Sequence, residues 1–535
     1  MLLYTLVFAP FLAALLMVAA SGKDYRAASR LAIILSSLLF IASLGLLASG
    51  DAATNPVEWF TIPGANATVS FAFSSHGFGA WMVFLSNIIT LAALVASRKT
   101  MGGNYRNFAV GLFALLGALD GTFLSADAVL FFFFFEAMVF PAAVLIGAYG
   151  GTERHSAALN FAIYTLAGSA PMAVALWYMI SAAGSSNPFA LLLAVQTLPE
   201  HTQTILFWCF AIAFWVKTPL FPFHGWQAQT YAEAPAPLSA VLTGAMSKAG
   251  VFGFLYWVIP IFPMDRVANV MMWLGLVTAL YGALMAIRAT DAKKLLAFSS
   301  MGHLGLAVAG LFTLSSSTLA AVLMLLVAHG LSSSALYILA GSAERFAGSR
   351  RLEKMGGFAS RYPVFGFFFG FAGIAAVAIP GTAGFVGEFL VLFSLWNVGV
   401  WPAIVAVICI ILTAVYMLRF IQAVLFGVPH EDLSKETEKL RFPISDALAV
   451  APLLLLLILF GLHPSPVTDS VSVPSVENEP ATADVMDEDI DTTAVDEAAL
   501  DSLSADSANA DTATLASDSA AKAVATSKEE IQNVR

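Results

Sequence analysis

Six residues of this 535-residue chain are ionisable groups set inside long apolar runs: Glu136, Lys217, Lys248, His303, His329 and Glu388. Glu136 follows five consecutive phenylalanines, Phe131–Phe135, and precedes Ala-Met-Val-Phe-Pro. Lys217 and Lys248 each fall about halfway along an apolar stretch of membrane-spanning length, too deep for their ammonium groups to reach water along the side chain. Charge at such depth costs several kcal/mol, so each of these groups needs a partner or a task. Burial favours the neutral form of an acid and of an amine, while pairing favours the charged form of both. A Glu–Lys pair that can be drawn apart is therefore a proton switch. A single acid–amine pair would serve equally well as a tie between helices. A set of carboxylates, amines and imidazoles at similar depth on different helices points instead to a polar line across the bundle. His303 and His329 gain their weight from these neighbours, because a lone imidazole in a membrane helix often only bonds two helices together.

Two of the charges stand beside backbone breakers. Lys217 opens Lys-Thr-Pro-Leu-Phe-Pro-Phe-His, with Pro219 and Pro222. Glu388 closes Ile-Pro-Gly-Thr-Ala-Gly-Phe-Val-Gly-Glu, with Pro380, Gly381 and Gly384. Broken backbone at membrane depth survives only where protein or water satisfies the freed groups. Interrupted helices in corresponding places point to an inverted-repeat transporter and its ion site. Pro219 and Pro380 are 161 positions apart, a spacing compatible with two five-helix repeats.

The elements that must hold these groups follow from composition. The chain is 59% hydrophobic and only 11% charged, whereas soluble domains carry roughly a quarter charged residues. That balance excludes a soluble globular protein. Cys209 and Cys409 form no CxxC, which argues against an iron–sulfur cluster or a zinc site. Counting about 20 apolar residues per crossing predicts an all-α polytopic membrane protein of about fourteen spans. They fall near 1–20, 31–49, 78–97, 107–124, 128–148, 157–182, 204–225, 236–259, 269–287, 295–313, 317–341, 362–396, 402–427 and 442–461. Residues 1–20 read as a retained span, since they lack a basic leader and a cleavage site. With the amino terminus outside, nearly every basic residue of the body falls in inner loops and only Arg266 in an outer one. Both termini are then expected on the outer side. The formal charge of −10 belongs to the tail, where residues 466–535 hold 16 acidic against three basic residues and no aromatic one. Such a segment is expected to be disordered. The resulting division is 1–106 for the first helices, 107–259 and 269–427 for the two repeats, 442–461 for the last span, and 466–535 for the tail.

Taken together, the motifs resemble the antiporter-like subunits of respiratory complex I. They are Phe-Phe-Glu-Ala-Met at 134–138, Val-Lys-Thr-Pro-Leu-Phe-Pro-Phe-His at 216–224, Ala-Pro at 234–235 and Ser-Lys-Ala-Gly at 247–250. The run from Asp291 through Lys293 and Lys294 to His303, then Ala-His-Gly at 328–330 and Pro380 through Glu388, completes the series in order. The likeness runs from about residue 70 to about 465. Within the family the M type is favoured by glutamate at 388, where the L and N types place lysine, and the lack of a long lateral helix after 461 argues against the L type.

The resemblance implies that Glu136 pairs with Lys217, that Lys248 passes protons with His303 and His329, and that Glu388 is the terminal relay. It implies no cofactor in this chain, with NADH, FMN, iron–sulfur clusters and quinone in partner subunits. Neighbouring L- and N-type membrane subunits and the lipid bilayer are the expected partners, with no nucleic acid, in a bacterial inner membrane. A multisubunit cation/proton antiporter or a membrane-bound hydrogenase would use the same helices, and a purely structural scaffold would use the charges only as ties. One departure stands out. After Trp226 the family continues Leu-Pro-Asp-Ala-His, but this chain reads Gln227 through Tyr231 without the acid or the imidazole, and Glu233 is the nearest substitute.

Overall fold

Apolar runs of this length become helices because a helix satisfies its own backbone where no water can. The computed structural model describes residues 1–19, 25–62, 67–315, 317–427 and 441–471. Among these, twelve helices are long and apolar enough to cross a membrane. They are Leu2–Ala19, Tyr25–Ser49, Gly77–Thr100, Gly102–Leu124, Ala128–Tyr149, Arg154–Ala183, Ala236–Val258, Ala268–Arg288, Ala292–Leu311, Thr318–Ala347, Val400–Leu425 and Ile444–Leu462. Two of the fourteen stretches expected as spans, 204–225 and 362–396, are not among these twelve, because each is interrupted. The first is the helix Glu200–Lys217 followed by turns over 218–226. The second is Pro363–Ala376 and Ala383–Val398, parted by the non-helical stretch 377–382.

Burial sorts the bundle into a core and a rim. The spanning window of Ala236–Val258 is wholly buried and that of Thr318–Ala347 is 94% buried, against 28% for Tyr25–Ser49 and 33% for Ile444–Leu462. The charged residues named above lie on the core helices or face them. The rim turns Phe140, Val174, Phe367 and Trp401 outward, as lipid-facing helices do.

Outside the helices, two antiparallel pairings fold the segment before Gly77. Ala52–Ala53 pairs with Ser74–Ser75, and Val57–Ile62 pairs with Ala67–Phe71. Asp127 ties this hairpin to the bundle. Its carboxylate accepts from Val129 N (2.9 Å) and Leu130 N (3.2 Å), capping the helix Ala128–Ala137, and also from Ser70 N (3.0 Å) and the Ser186 hydroxyl. The strands were not part of the sequence expectation.

The expected acidic tail lies outside the described residues from 472 onward. Its first residues are ordered: Ser465–Thr468 form a helical turn, Val467 is buried, and the Trp81 indole donates to Ser470 Oγ at 2.7 Å. Order thus extends a few residues past the expected boundary at 466, because Val467 and Ser470 find partners on the bundle.

Candidate functional site: a buried line of acids, amines and imidazoles

The helix Ala128–Ala137 gives way at Met138 to Val139–Tyr149, and Glu136 stands in the last turn before this junction. Both carboxylate oxygens of Glu136 are buried and have no hydrogen-bond partner among the described residues. Lys217 is the last residue of its helix and is buried. Its Nζ lies 4.4 Å from the centroid of the Phe135 ring, a cation–π contact supplied by the phenylalanine run. No ion pair joins Glu136 to Lys217 among the described residues. Two indoles answer the break that follows Lys217. Trp226 Nε1 donates to Val216 O (3.0 Å) and Trp215 Nε1 to Phe221 O (2.9 Å), so carbonyls freed by the prolines are not left bare.

Lys248 lies between two π-helical turns, Leu242–Met246 and Phe254–Val258, within the buried helix Ala236–Val258. Wide turns of this kind recur at functional sites. Lys248 Nζ donates to Thr243 O (2.5 Å) and meets Nδ1 of His329 at 2.9 Å. The ring of His329 stacks on that of His303, centroids 5.1 Å apart at 25°. His303 Nδ1 is 2.9 Å from Ser299 O, and its Nε2 is 3.3 Å from Glu388 Oε1. Lys248, His329, His303 and Glu388 therefore form one run of direct contacts drawn from four separate helices.

Donor and acceptor rules fix much of the proton bookkeeping along this run. A carbonyl only accepts, so His303 Nδ1 carries hydrogen and Nε2 is the atom that faces Glu388. The Nε2···Oε1 bond then holds one proton in either form, as imidazolium–carboxylate or as imidazole–carboxylic acid. An ammonium at Lys248 donates to His329 Nδ1, which leaves the hydrogen of a neutral His329 on Nε2. That nitrogen has no partner among the described residues.

Two glycines allow the helices to come this close. A Cβ on Gly387 would lie 2.6 Å from the Leu325 backbone, one turn before His329, so Gly387 lets the Glu388 helix press onto the His329 helix. A Cβ on Gly250 would lie 2.0 Å from Thr218 Oγ1 and 2.5 Å from Phe214 O. Gly250 thereby seats the end of the Lys217 helix against the Lys248 helix.

At the end of the bundle carrying the basic loops, the altered stretch 227–231 packs inward. Gln227 Nε2 donates to Ala297 O (3.1 Å) and Tyr231 OH to Leu242 O (3.2 Å). Glu233 is committed to a tie between loops. It accepts from Arg350 Nη2 (2.8 Å) and Glu153 N (3.0 Å), and Arg350 also meets Asp291 at 3.3 Å. Burial opposes ionisation of Glu233, but these hydrogen bonds and the charges of Arg350 and Lys293 outweigh it and hold the carboxyl below the usual range. Several buried carboxyls stand outside the residues singled out from the sequence, among them Asp120, Asp127 and Asp446. Asp120 is fully buried and bonds Asn87 Nδ2 through Oδ2 (2.9 Å), while its Oδ1 has no partner among the described residues.

Two broken helices bordering a buried line of carboxylates, amines and imidazoles define an antiporter-like membrane subunit. The family model described as NADH:quinone oxidoreductase/Mrp antiporter, TM, matches residues 125–413. NADH-quinone oxidoreductase subunit M of Rickettsia prowazekii is 31% identical over 456 residues, covering 84% of this chain and 91% of the relative. A chain of respiratory complex I from Thermus thermophilus superposes with a TM-score of 0.75 at 28% identity, covering 88% of this chain and 98% of that one. A chain of the Mrp complex from Dietzia, at 19% identity and a TM-score of 0.75 over 88% of this chain and 96% of that one, shares the fold. This chain belongs to the NADH-quinone oxidoreductase subunit M family.

Proposed function

We propose that the chain carries protons along its buried line as a membrane subunit of NADH-quinone oxidoreductase. Quinone reduction in other subunits would supply the energy, and NADH, FMN, iron–sulfur clusters and quinone would belong to those subunits. The observation that carries this reading is the run of contacts from Lys248 through His329 and His303 to Glu388. Each member can gain or lose a proton, and the stacked rings of His329 and His303, which share no hydrogen bond, would exchange theirs through a group bridging from the unpartnered His329 Nε2. Glu136 and Lys217 form the first station, with the Glu136 charge setting how tightly Lys217 holds its proton. Glu388, on the second broken helix, is the last.

Residues 107–259 and 269–427 act as two inverted repeats, each contributing one broken helix beside a charge. Lipid and the neighbouring L- and N-type membrane subunits surround the chain in a bacterial inner membrane. The loops bearing Arg288, Lys293, Arg350 and Lys354 face inward, and both termini face outward.

Replacing Lys248 with Met keeps the bulk of the side chain and removes its proton. In vesicles containing the whole complex, K248M is expected to assemble and to lose proton translocation. A K248M complex that pumps at the normal rate would dismiss the relay, and a failure to assemble would favour the charges as mere ties.

A further inference from the structure

A cavity of about 560 Å³, within the size range of small-ligand pockets, opens between the end of Ala268–Arg288, the loop at 352–355 and the last turns of Val400–Leu425. Tyr416 closes its inner end, and the Tyr416 hydroxyl already donates to Ser299 Oγ at 2.9 Å. Arg419 lines the wall and Glu353 the exposed mouth, with Thr290 and Gln422 beside them. The helix Val400–Leu425 has 26 residues. It rises about 39 Å, more than a hydrocarbon core of about 30 Å. Arg419 precedes the end of that helix by six residues, so it stands near the level where acyl chains give way to headgroups. Its side chain is exposed, and among the described residues it joins no ion pair. A cation held at that depth needs an anion.

Two features argue against a purely anionic occupant. Val400–Leu425 ends at the cavity with no basic residue in its last turn, so its free carbonyls present a negative dipole end there. Glu353 adds a carboxylate at the mouth. Its contact with Arg351 at 3.1 Å joins two exposed side chains, a pairing worth little in water. The cavity therefore offers positive charge inside and negative charge at the rim. In an ethanolamine phospholipid the phosphate lies next to the acyl chains and the ammonium is the outermost group, which is the matching order. We propose that this cavity seats the headgroup of one zwitterionic aminophospholipid, with its phosphate on Arg419 and its ammonium beside Glu353. The acyl chains run down the surface formed by Leu284, Val415 and Leu418, which are exposed on the same two helices. The guanidinium fork suits a phosphate because it can give two parallel hydrogen bonds. The site is independent of the proton relay.

The test uses the whole complex in phosphatidylglycerol nanodiscs doped with a photoactivatable phosphatidylethanolamine, with cross-linked peptides mapped by mass spectrometry. Wild-type complex should be labelled within 284–295 and 415–427, and unlabelled phosphatidylethanolamine should displace the probe. R419Q should lower that labelling by about tenfold or more, and equal labelling of R419Q and wild type would overturn the site. The matching phosphatidylglycerol probe should label the wild type roughly fivefold less, and E353Q should close that gap. Equal labelling of the wild type by both probes would overturn the assignment of the ammonium to Glu353 and with it the aminophospholipid. Displacement of the probe by inorganic phosphate would show a free-anion site and overturn the lipid. No labelling of the wild type at these peptides would overturn the proposal and give Arg419 to a carboxylate of the chain. The two-probe comparison and the displacements use wild-type complex alone, so they decide the matter even if R419Q fails to assemble.

Discussion

Replacing Glu388 with Gln isolates the shared proton at the end of the line. Glutamine keeps the size and can still hydrogen-bond His303 Nε2, but it cannot take up the proton that the carboxylate exchanges. The 3.3 Å separation of His303 Nε2 and Glu388 Oε1 corresponds to an attraction of about 5 kcal/mol between unit charges at an effective dielectric of about 20. Losing it removes between three and four powers of ten from the population of any state that places a proton on His303 beside a carboxylate. Nothing else among the described residues forms an ion pair with His303. In vesicles reporting acidification with a pH-sensitive dye, the E388Q complex should be fully assembled on a native gel and show no proton translocation above the uncoupled background. Assembled E388Q that translocates as many protons per NADH as the wild type would refute the argument.

Three further outcomes follow from the geometry. K217A or E136A should abolish translocation in an assembled complex if the two residues form the first station of the proposed relay; unchanged pumping in both would remove that station. G250A should destabilise the subunit by about 1–3 kcal/mol, the usual range for overpacking, because the added methyl meets the Phe214 carbonyl at 2.5 Å. G147A, whose methyl would meet Ala158 at an ordinary 3.5 Å, is the control, and equal thermal dissociation temperatures for the two variants would contradict the packing. Glu233 is held below the usual carboxylate range, so its tie to Arg350 contributes fully above an unfolded value of about 4.3. That contribution is lost as pH falls through the folded value. E233Q should therefore dissociate at a lower temperature than the wild type at pH 7, with the gap closing below about pH 4; a gap independent of pH would show that the tie is not ionic.

Depth was legible in the sequence and contact was not. Hydropathy located Lys217, Lys248 and Glu388 in the membrane, and the prolines and glycines beside two of them located the broken helices, because both signals are local. The meeting of Lys248 with His329, 81 positions away, depends on how helices cross, and that is decided by close approaches such as Gly387 against Leu325. The hairpin at 52–75 escaped because short strands between membrane helices leave little periodicity to read. Tyr416 carries no signal by type, since tyrosines are common in such helices.

The stacked imidazoles of His303 and His329 bear on how many protons the line can hold. Two positive rings 5.1 Å apart repel by about 3 kcal/mol at an effective dielectric of about 20, so double occupancy is disfavoured by about two powers of ten. Lys248 adds a further positive neighbour on one side. In the proposed relay, a second proton is therefore disfavoured on the imidazoles until the first has gone over to Glu388. Water threading the same space would conduct whenever a gradient existed, in either direction. A seat for one passenger conducts only when something empties it, and a relay built this way would be a meter and not a leak.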